Sequence, residues 1–254
     1  MLGDLEIRAA SVVGADHRCT PAATARQDAY RLGRDAAGRY LLVAVADGVS
    51  EATRSDIGAT VAARASVDLL RRQLDDGVSP AEIDFRELFK TVAQHIVGAA
   101  SQVQAEPQEL LTALIVAIVP TAPEDLRGGR TVRLASVADV SAWRHEETTW
   151  RQLAGEVKSG LDRNSLRTFL PHYWDAVVVR EVVLPAGSAL AFMTDGVGDA
   201  LADIAGGAEW FAVRWRQPPA LASFLLDTDY EAVGQVDDRT AVVVWSPSNG
   251  GEVR

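Results

Sequence analysis

The chain has 254 residues, of which 48% are hydrophobic and 24% are charged, and its net charge is −10. This is globular composition, and the absence of a linker-like break favours one domain over residues 1–246, followed by a small polar tail at 247–254. The negative charge argues against nucleic acid as a partner. The single cysteine, Cys19, excludes an intramolecular disulfide, and no apolar run is long enough to span a bilayer. A cytoplasmic protein without membrane contact is expected.

Apolar segments predict most of the strands. The run at 112–119 is continuously apolar, which is typical of a strand buried on both faces. The run at 39–46 stops abruptly at Asp47-Gly48, and the segment at 149–153 is expected to form a hairpin with the strand before it. In chain order the predicted strands cover residues 39–46, 112–119, 131–137, 141–144, 149–153, 176–184, 188–194 and 240–245.

Helical periodicity occupies the intervals between these strands. Apolar residues recur at helical spacing over 55–74, and over a second segment that Ser79-Pro80 opens and that runs to about residue 103. Shorter helices are predicted at 199–204 and 219–226. Two long helices are adjacent and most strands come in consecutive runs, so strict alternation of strand and helix is excluded. The order favours an α+β sandwich of antiparallel sheets with helices laid over them.

Aspartates recur at the ends of the predicted strands. Asp47 and Asp195 each follow an apolar strand and precede a glycine, Asp237 precedes the last strand, and Asp139 lies between two strands. Rigid strand ends can bring carboxylates to one point, and a following glycine lets the backbone present its carbonyl oxygen. Mn²⁺ and Mg²⁺ prefer such oxygen ligands. From spacing alone, a metal site and a set of ordinary Asp-Gly turns remain equally open.

Six motifs, taken in order, resemble those of the PPM family of metal-dependent protein phosphatases, the phosphatase 2C type. Together they span residues 10–246, although each is weak alone. The resemblance implies a four-layer α-β-β-α sandwich, in which two antiparallel sheets pack face to face with helices outside. The motifs are ARQDAY with Asp28, VADGVSEATRSDIGATVAA with Asp47, LLTALIVAIV with Thr112, VADVSAW with Asp139, MTDGVGDAL with Asp195 and Asp199, and DDRTAVVVW with Asp237.

The resemblance also implies a role for each matching residue. Asp47 would bridge two Mn²⁺ or Mg²⁺ ions, and Asp195 and Asp237 would hold one of them. The Gly48 carbonyl would contact the other ion, which Asp28 would face directly or through water. Asp28, Asp47, Asp195 and Asp237 are therefore the expected catalytic residues.

A third, looser ion would lie among Asp139, Asp195 and Asp199. In the implied mechanism, hydroxide formed from a water that bridges two ions attacks the phosphorus of phosphoserine or phosphothreonine. The metal charge then neutralises the phosphate oxygens in the transition state, and no protein nucleophile is needed.

Several positions depart from the family pattern. Bacterial members often carry an arginine five residues before the first aspartate to bind substrate phosphate, but this position is Ala23. His17 and Arg18 lie upstream and are candidates to supply that positive charge. The Gly-Asp-Ser-Arg motif of the family has become Ala-Asp-Val-Ser at 138–141. These departures indicate a divergent bacterial branch.

A further candidate is the polar segment 157–171, with Arg163 and Arg167. It falls where the family carries a mobile flap beside the active site, so it is a candidate substrate-contacting loop. The other interpretation is an ordinary polar connection.

Three functions stay open at this level. The first is an active phosphatase whose substrate is a phosphoprotein, either a serine/threonine kinase or the target of one. The second is a catalytically weak or inactive module that binds a phosphoprotein or a kinase. The third is a metal enzyme that acts on small phosphoesters or nucleotides. The intact acidic positions favour the first, whereas the altered phosphate-binding positions favour the second.

Overall fold

The computed structural model describes residues 2–19, 25–124, 127–156 and 168–248. Within these ranges the strands are β1 (Glu6–Val12), β2 (Ala29–Arg34), β3 (Tyr40–Gly48), β4 (Thr112–Pro120), β5 (Arg130–Val137), β6 (Ser141–Glu146), β7 (Thr149–Ala154), β8 (Val178–Leu184), β9 (Ala189–Met193) and β10 (Arg239–Trp245). They form two sheets in which all neighbours are antiparallel. Sheet 1 has the order β1-β10-β9-β6-β7, and sheet 2 has the order β2-β3-β4-β5-β8.

Helices cover the outer faces of both sheets. The α-helices are α1 (Ala15–Cys19), α2 (Ser55–Asp75), α3 (Phe85–Gln102), α4 (Asp195–Asp203), α5 (Gly207–Arg214) and α6 (Leu221–Thr228). Helix α2 packs on β2, β3 and β4 of sheet 2, with α3 beside it, whereas α4, α5 and α6 pack on strands of sheet 1. None of the described helices combines the length and apolar composition that crossing a bilayer requires.

The strand β10 shows how sheet 1 separates two cores. Val242 and Val244 belong to the core that fills the space between the sheets and extends under α2 and α3. Ala241 and Val243 belong to a second core beneath α4, α5 and α6. Since successive residues of a strand point to opposite faces, a strand that is apolar throughout has to be covered on both sides. The predicted four-layer α-β-β-α sandwich is therefore confirmed.

The most apolar strands lie where the sequence predicts them. All nine residues of β4 are buried, because sheet 1 covers one face and α2 the other. The hairpin of β6 and β7 is also confirmed. The strands β1 and β2 are not among the sequence predictions. Both are edge strands, and their half-exposed residues give no continuous apolar signal.

The helix predicted from Ser79-Pro80 to about residue 103 is wrong at its start. The chain forms a short 3₁₀ turn at Pro80–Glu82, becomes extended at Ile83, and begins α3 only at Phe85. The Asp84 side chain accepts hydrogen bonds from two amides of the first turn, and this cap fixes the start of the helix. The helix predicted at 199–204 begins earlier, at Asp195, and α5 was not predicted.

Two helical glycines provide a test of the packing around sheet 2. A Cβ on Gly58 of α2 would lie 2.2 Å from the carbonyl oxygen of Leu110, whereas a Cβ on Gly98 of α3 would meet nothing within 4 Å. We expect Gly58→Ala to lower the free energy of unfolding by about 1–3 kcal/mol, because backbone has to move. Gly98→Ala should raise it by about 0.5–1 kcal/mol. Urea unfolding of both variants measures this difference, and equal effects would contradict the described contact.

Candidate functional site

Four of the predicted aspartates lie at strand ends on one edge of the two sheets. Asp28 immediately precedes β2, Asp47 is the penultimate residue of β3, Asp195 follows β9 as the first residue of α4, and Asp237 lies two residues before β10. In antiparallel neighbours the end of one strand lies beside the start of the next. The pairings of β2 with β3 and of β9 with β10 therefore bring these aspartates to the same edge.

Hydrogen bonds join the two sheets at this edge. The hydroxyl of Thr194 donates to Asp28 Oδ2 at 2.8 Å and accepts the amide of Thr240 at 3.0 Å. The amide of Asp195 donates to Asp47 Oδ2 at 3.4 Å. Asp28 and Asp47 adjoin sheet 2, whereas their partners adjoin sheet 1. The carboxylates thus lie at the seam between the sheets.

The carboxylate of Asp47 is the most crowded by negative charge. Its pKa is raised well above the ordinary value, first because burial disfavours the charged form and then because four carboxylates repel it. These carboxylates belong to Asp195, Asp28, Asp139 and Asp237. The structure therefore brings the aspartates of five separate segments close enough to interact electrostatically.

Asp28 and Asp237 share this environment. Burial raises the pKa of Asp28, and hydrogen bonds from Thr194 and Thr240 offset part of the effect. Burial and repulsion by Asp195 raise the pKa of Asp237, while the Asp238 amide and His17 oppose the shift. The seam therefore carries more negative charge than the neighbouring groups neutralise, and this excess favours the binding of a cation or a proton.

Gly48 and Asp139 lie at the same seam. A Cβ on Gly48 would come within 2.8 Å of both the Gln27 carbonyl oxygen and Ser55 Cβ, so only glycine fits this close approach. Asp139 is half-buried in the turn that carries the chain from β5 in sheet 2 to β6 in sheet 1.

Asp199 follows Asp195 by one turn of α4 and is also half-buried. Residues four apart lie on the same face of a helix. Asp199 is therefore on the same side of α4 as Asp195.

The donors at the seam fit hard divalent cations. They are carboxylate oxygens with a neighbouring glycine carbonyl, which are the ligands that Mg²⁺ and Mn²⁺ prefer. In the part of the chain that the structure describes, no three His, Cys, Asp or Glu side chains are grouped closely enough to enclose an ion. A bound cation would offset the repulsion between these carboxylates. The assignment of individual ligands stays a prediction.

The two residues predicted to bind substrate phosphate each contact a carboxylate. His17 Nδ1 lies 3.0 Å from Asp238 Oδ1, and the His17 side chain is 13% exposed. Arg18 pairs with both carboxylate oxygens of Asp229, at 3.1 and 3.4 Å. Their contact with phosphate stays a prediction. Ala23 lies outside the described residues. So does the segment 157–167, which makes up most of the predicted substrate-contacting loop and includes Arg163 and Arg167.

Asp238 was not predicted as a site residue, but it holds the site together. It is buried, and its carboxylate accepts the amides of Gly14 and Gln27, both at 2.7 Å, as well as contacting His17. Gln27 precedes Asp28, so Asp238 fixes the segment that carries this aspartate. The available signal was the Asp237-Asp238 doublet, because adjacent residues of an extended segment point to opposite sides.

The chain matches the family model for protein phosphatase 2C over residues 13–221. A search of the curated proteins gives no match. Solved structures with the same fold include the serine/threonine phosphatase of S. agalactiae, which is 15% identical with a TM-score of 0.64. The alignment covers 95% of this chain and 99% of that one.

Two further structures are similar. Stp1, a serine/threonine phosphatase from Staphylococcus aureus, is 14% identical with a TM-score of 0.66, and the alignment covers 97% of this chain and 96% of that one. The phosphatase domain of SpoIIE from Bacillus subtilis is 17% identical with a TM-score of 0.51, over 98% and 95% of the two chains. Likeness at this level of identity shows the fold, whereas the family match covers most of the sequence. The chain therefore belongs to the protein phosphatase 2C family, and the predicted enzyme class, protein serine/threonine phosphatase, is confirmed with it.

Proposed function

We propose that this chain hydrolyses phosphoserine and phosphothreonine in proteins with the help of Mn²⁺ or Mg²⁺, and so opposes a serine/threonine kinase. The observation that carries the proposal is the convergence of Asp28, Asp47, Asp195 and Asp237 at the seam between the sheets. Such a concentration of half-buried negative charge is costly unless cations compensate it. The names of the similar solved structures support serine and threonine phosphates as the substrate class.

In this proposal Asp28, Asp47, Asp195 and Asp237 would hold the cations. Bound divalent cations supply charge that neutralises phosphate oxygens and that lowers the pKa of coordinated water. The chain itself contributes orientation. Thr194 and Thr240 fix the carboxylate of Asp28, and the Asp195 amide fixes that of Asp47. These contacts come from rigid strand ends, which favours a fixed site over one assembled by loops.

The first prediction concerns turnover. With Mn²⁺ present, the protein should hydrolyse p-nitrophenyl phosphate and a phosphothreonine peptide. Asp47→Asn or Asp195→Asn should lower kcat/KM by more than about 100-fold, since loss of a ligand exceeds the 10–100-fold typical of outer-shell partners. The matched control is Glu209→Gln, which removes an exposed carboxylate in the first turn of α5.

The control variant should retain wild-type turnover. If Asp47→Asn and Asp195→Asn kept their activity, the catalytic proposal would be wrong. If the wild type bound Mn²⁺ but hydrolysed neither substrate, the seam would serve binding alone. If it hydrolysed nucleotides but not phosphopeptides, the substrate class would be wrong.

The second prediction concerns stability without metal. The pKa of Asp47 is raised above the ordinary value of 3.8 in the folded protein. The folded state therefore binds more protons than the unfolded state above pH 3.8, so stability should fall as the pH rises through the raised pKa. We expect Asp47→Asn to make the free energy of unfolding less dependent on pH. It should also raise the free energy of unfolding at neutral pH by about 1–2 kcal/mol.

Thermal unfolding with EDTA at pH 5 and pH 7.5 measures this effect. Addition of Mn²⁺ should stabilise the wild type more than Asp47→Asn, because the cation binds the folded state. An Asp47→Asn variant that was less stable than the wild type in EDTA and gained equally from Mn²⁺ would contradict the electrostatic account.

A further inference from the structure

A groove runs from the aspartate seam along the edge of sheet 2. Two adjoining clefts of about 560 and 670 Å³ lie between β2 and α2, and they share Arg31 and Leu32. We call them together the β2–α2 groove. Its first end lies beside the seam, where Arg26 Nε donates to the backbone carbonyl of Asp28 at 3.0 Å. The groove follows β2, whose six residues span about 20 Å.

The wall of the groove is formed by close packing of α2 on β2. A Cβ on Gly33 would lie 2.4 Å from Val67 Cγ1, so the absence of a side chain lets the helix approach the strand. Arg31 precedes Gly33 by two residues and therefore points to the same face of β2. This places its side chain toward α2, where Thr60 and Arg64 line the same cleft.

The end of the groove nearer the seam is basic. Arg26, Arg31 and Arg64 line this cleft, and none of its other described lining residues is acidic. Arg31 has no ion pair with any described residue. Arg64 forms an ion pair with Asp68 at 3.8 Å, but the pair is weak because it is long and the Arg64 side chain is 77% exposed. The farther cleft is lined by four aspartates and four arginines, so the excess of positive charge lies in the cleft nearer the seam, although the chain as a whole has a net charge of −10.

The strand β2 also offers backbone groups. It pairs only with β3 among the described strands, so its outer edge is unpaired. An unpaired edge can accept an extended peptide as an additional strand, and neighbouring side chains then provide specificity. The combination of a free strand edge with a basic wall fits an extended acidic peptide.

We propose that the cleft of the β2–α2 groove nearer the seam binds an extended acidic segment of the substrate phosphoprotein, adjacent in sequence to the phosphorylated serine or threonine. This inference rests on the proposed function, because it places the phosphate at the seam and the flanking residues in the groove. The positive charge of Arg31 and Arg64 attracts the acidic side chains, and the edge of β2 pairs with the peptide backbone. The enzyme therefore selects phosphorylation sites with acidic neighbours.

The test uses two phosphothreonine peptides that differ only in flanking residues, glutamate in one and glutamine in the other. The wild type should prefer the glutamate peptide through a lower KM. The double variant Arg31→Glu and Arg64→Glu should raise the KM for that peptide about tenfold, because attraction becomes repulsion. Turnover of p-nitrophenyl phosphate should not change, since this substrate does not reach the groove. The corresponding double lysine variant should keep the preference.

The matched control is Arg180→Glu on β8, an exposed arginine on the opposite edge strand of the same sheet. It makes the same Arg→Glu change at one position, half the charge change of the double variant, far from the groove, and it should leave both KM values unaltered. Equal wild-type KM values for the two peptides would overturn the inference. So would a rise in the KM for the glutamate peptide that was as large in the Arg180→Glu variant as in the double variant. Arginines that only protect the strand edge from aggregation would give this result.

Binding is measured separately by fluorescence anisotropy with the same two peptides. Stronger binding of the glutamate peptide, lost in the Arg31→Glu and Arg64→Glu variant, supports the groove even if no peptide is hydrolysed. That outcome would reject the proposed function alone. Equal binding of the two peptides alongside normal p-nitrophenyl phosphate turnover would reject the groove alone.

Discussion

Repulsion between half-buried carboxylates is the constraint on which the site depends. Asp47 is surrounded by aspartates from four other segments, and burial and repulsion both disfavour its charged form. A folded chain tolerates such an arrangement only if its scaffold is rigid and if cations or protons compensate the charge. The two sheets provide the rigidity, since their strands form a continuous core from α2 through both sheets. We infer that the fold holds the carboxylates in a costly arrangement that cation binding relieves.

The sequence predicts the central strands well because their burial leaves a direct signal. A strand covered on both faces, such as β4, has to be apolar throughout. The edge strands β1 and β2 are half-exposed and carry charged residues, so no local pattern distinguishes them from loops. The start of α3 was misplaced because Ser79-Pro80 resembles a helix start, although Asp84 caps the actual one. Ser79-Pro80 and Asp84 are both acceptable starts for a helix by sequence, and the packing of the folded chain decides which one is used.

The aspartates of the seam were predictable because each follows or precedes a strand, and strand ends meet in antiparallel sheets. Asp238 and Thr194 were missed because their roles depend on which segments pack together. The carboxylate of Asp238 binds the amides of Gly14 and Gln27, more than 200 positions away in the chain. The basic groove depends in the same way on the approach of α2 to β2, which Gly33 permits. Contacts of this kind follow from the assembled fold, and spacing in the sequence does not identify the partners.

The central claim is that cations at the seam compensate the charge around Asp47. Anomalous X-ray diffraction from crystals of the protein grown with Mn²⁺ tests it most directly. A manganese peak within coordination distance of the Asp47 carboxylate, about 2.1 Å, with Asp195 and Asp237 as further ligands, is the result that we predict. Crystals that held manganese elsewhere, or that showed none at the seam at saturating Mn²⁺, would contradict the claim.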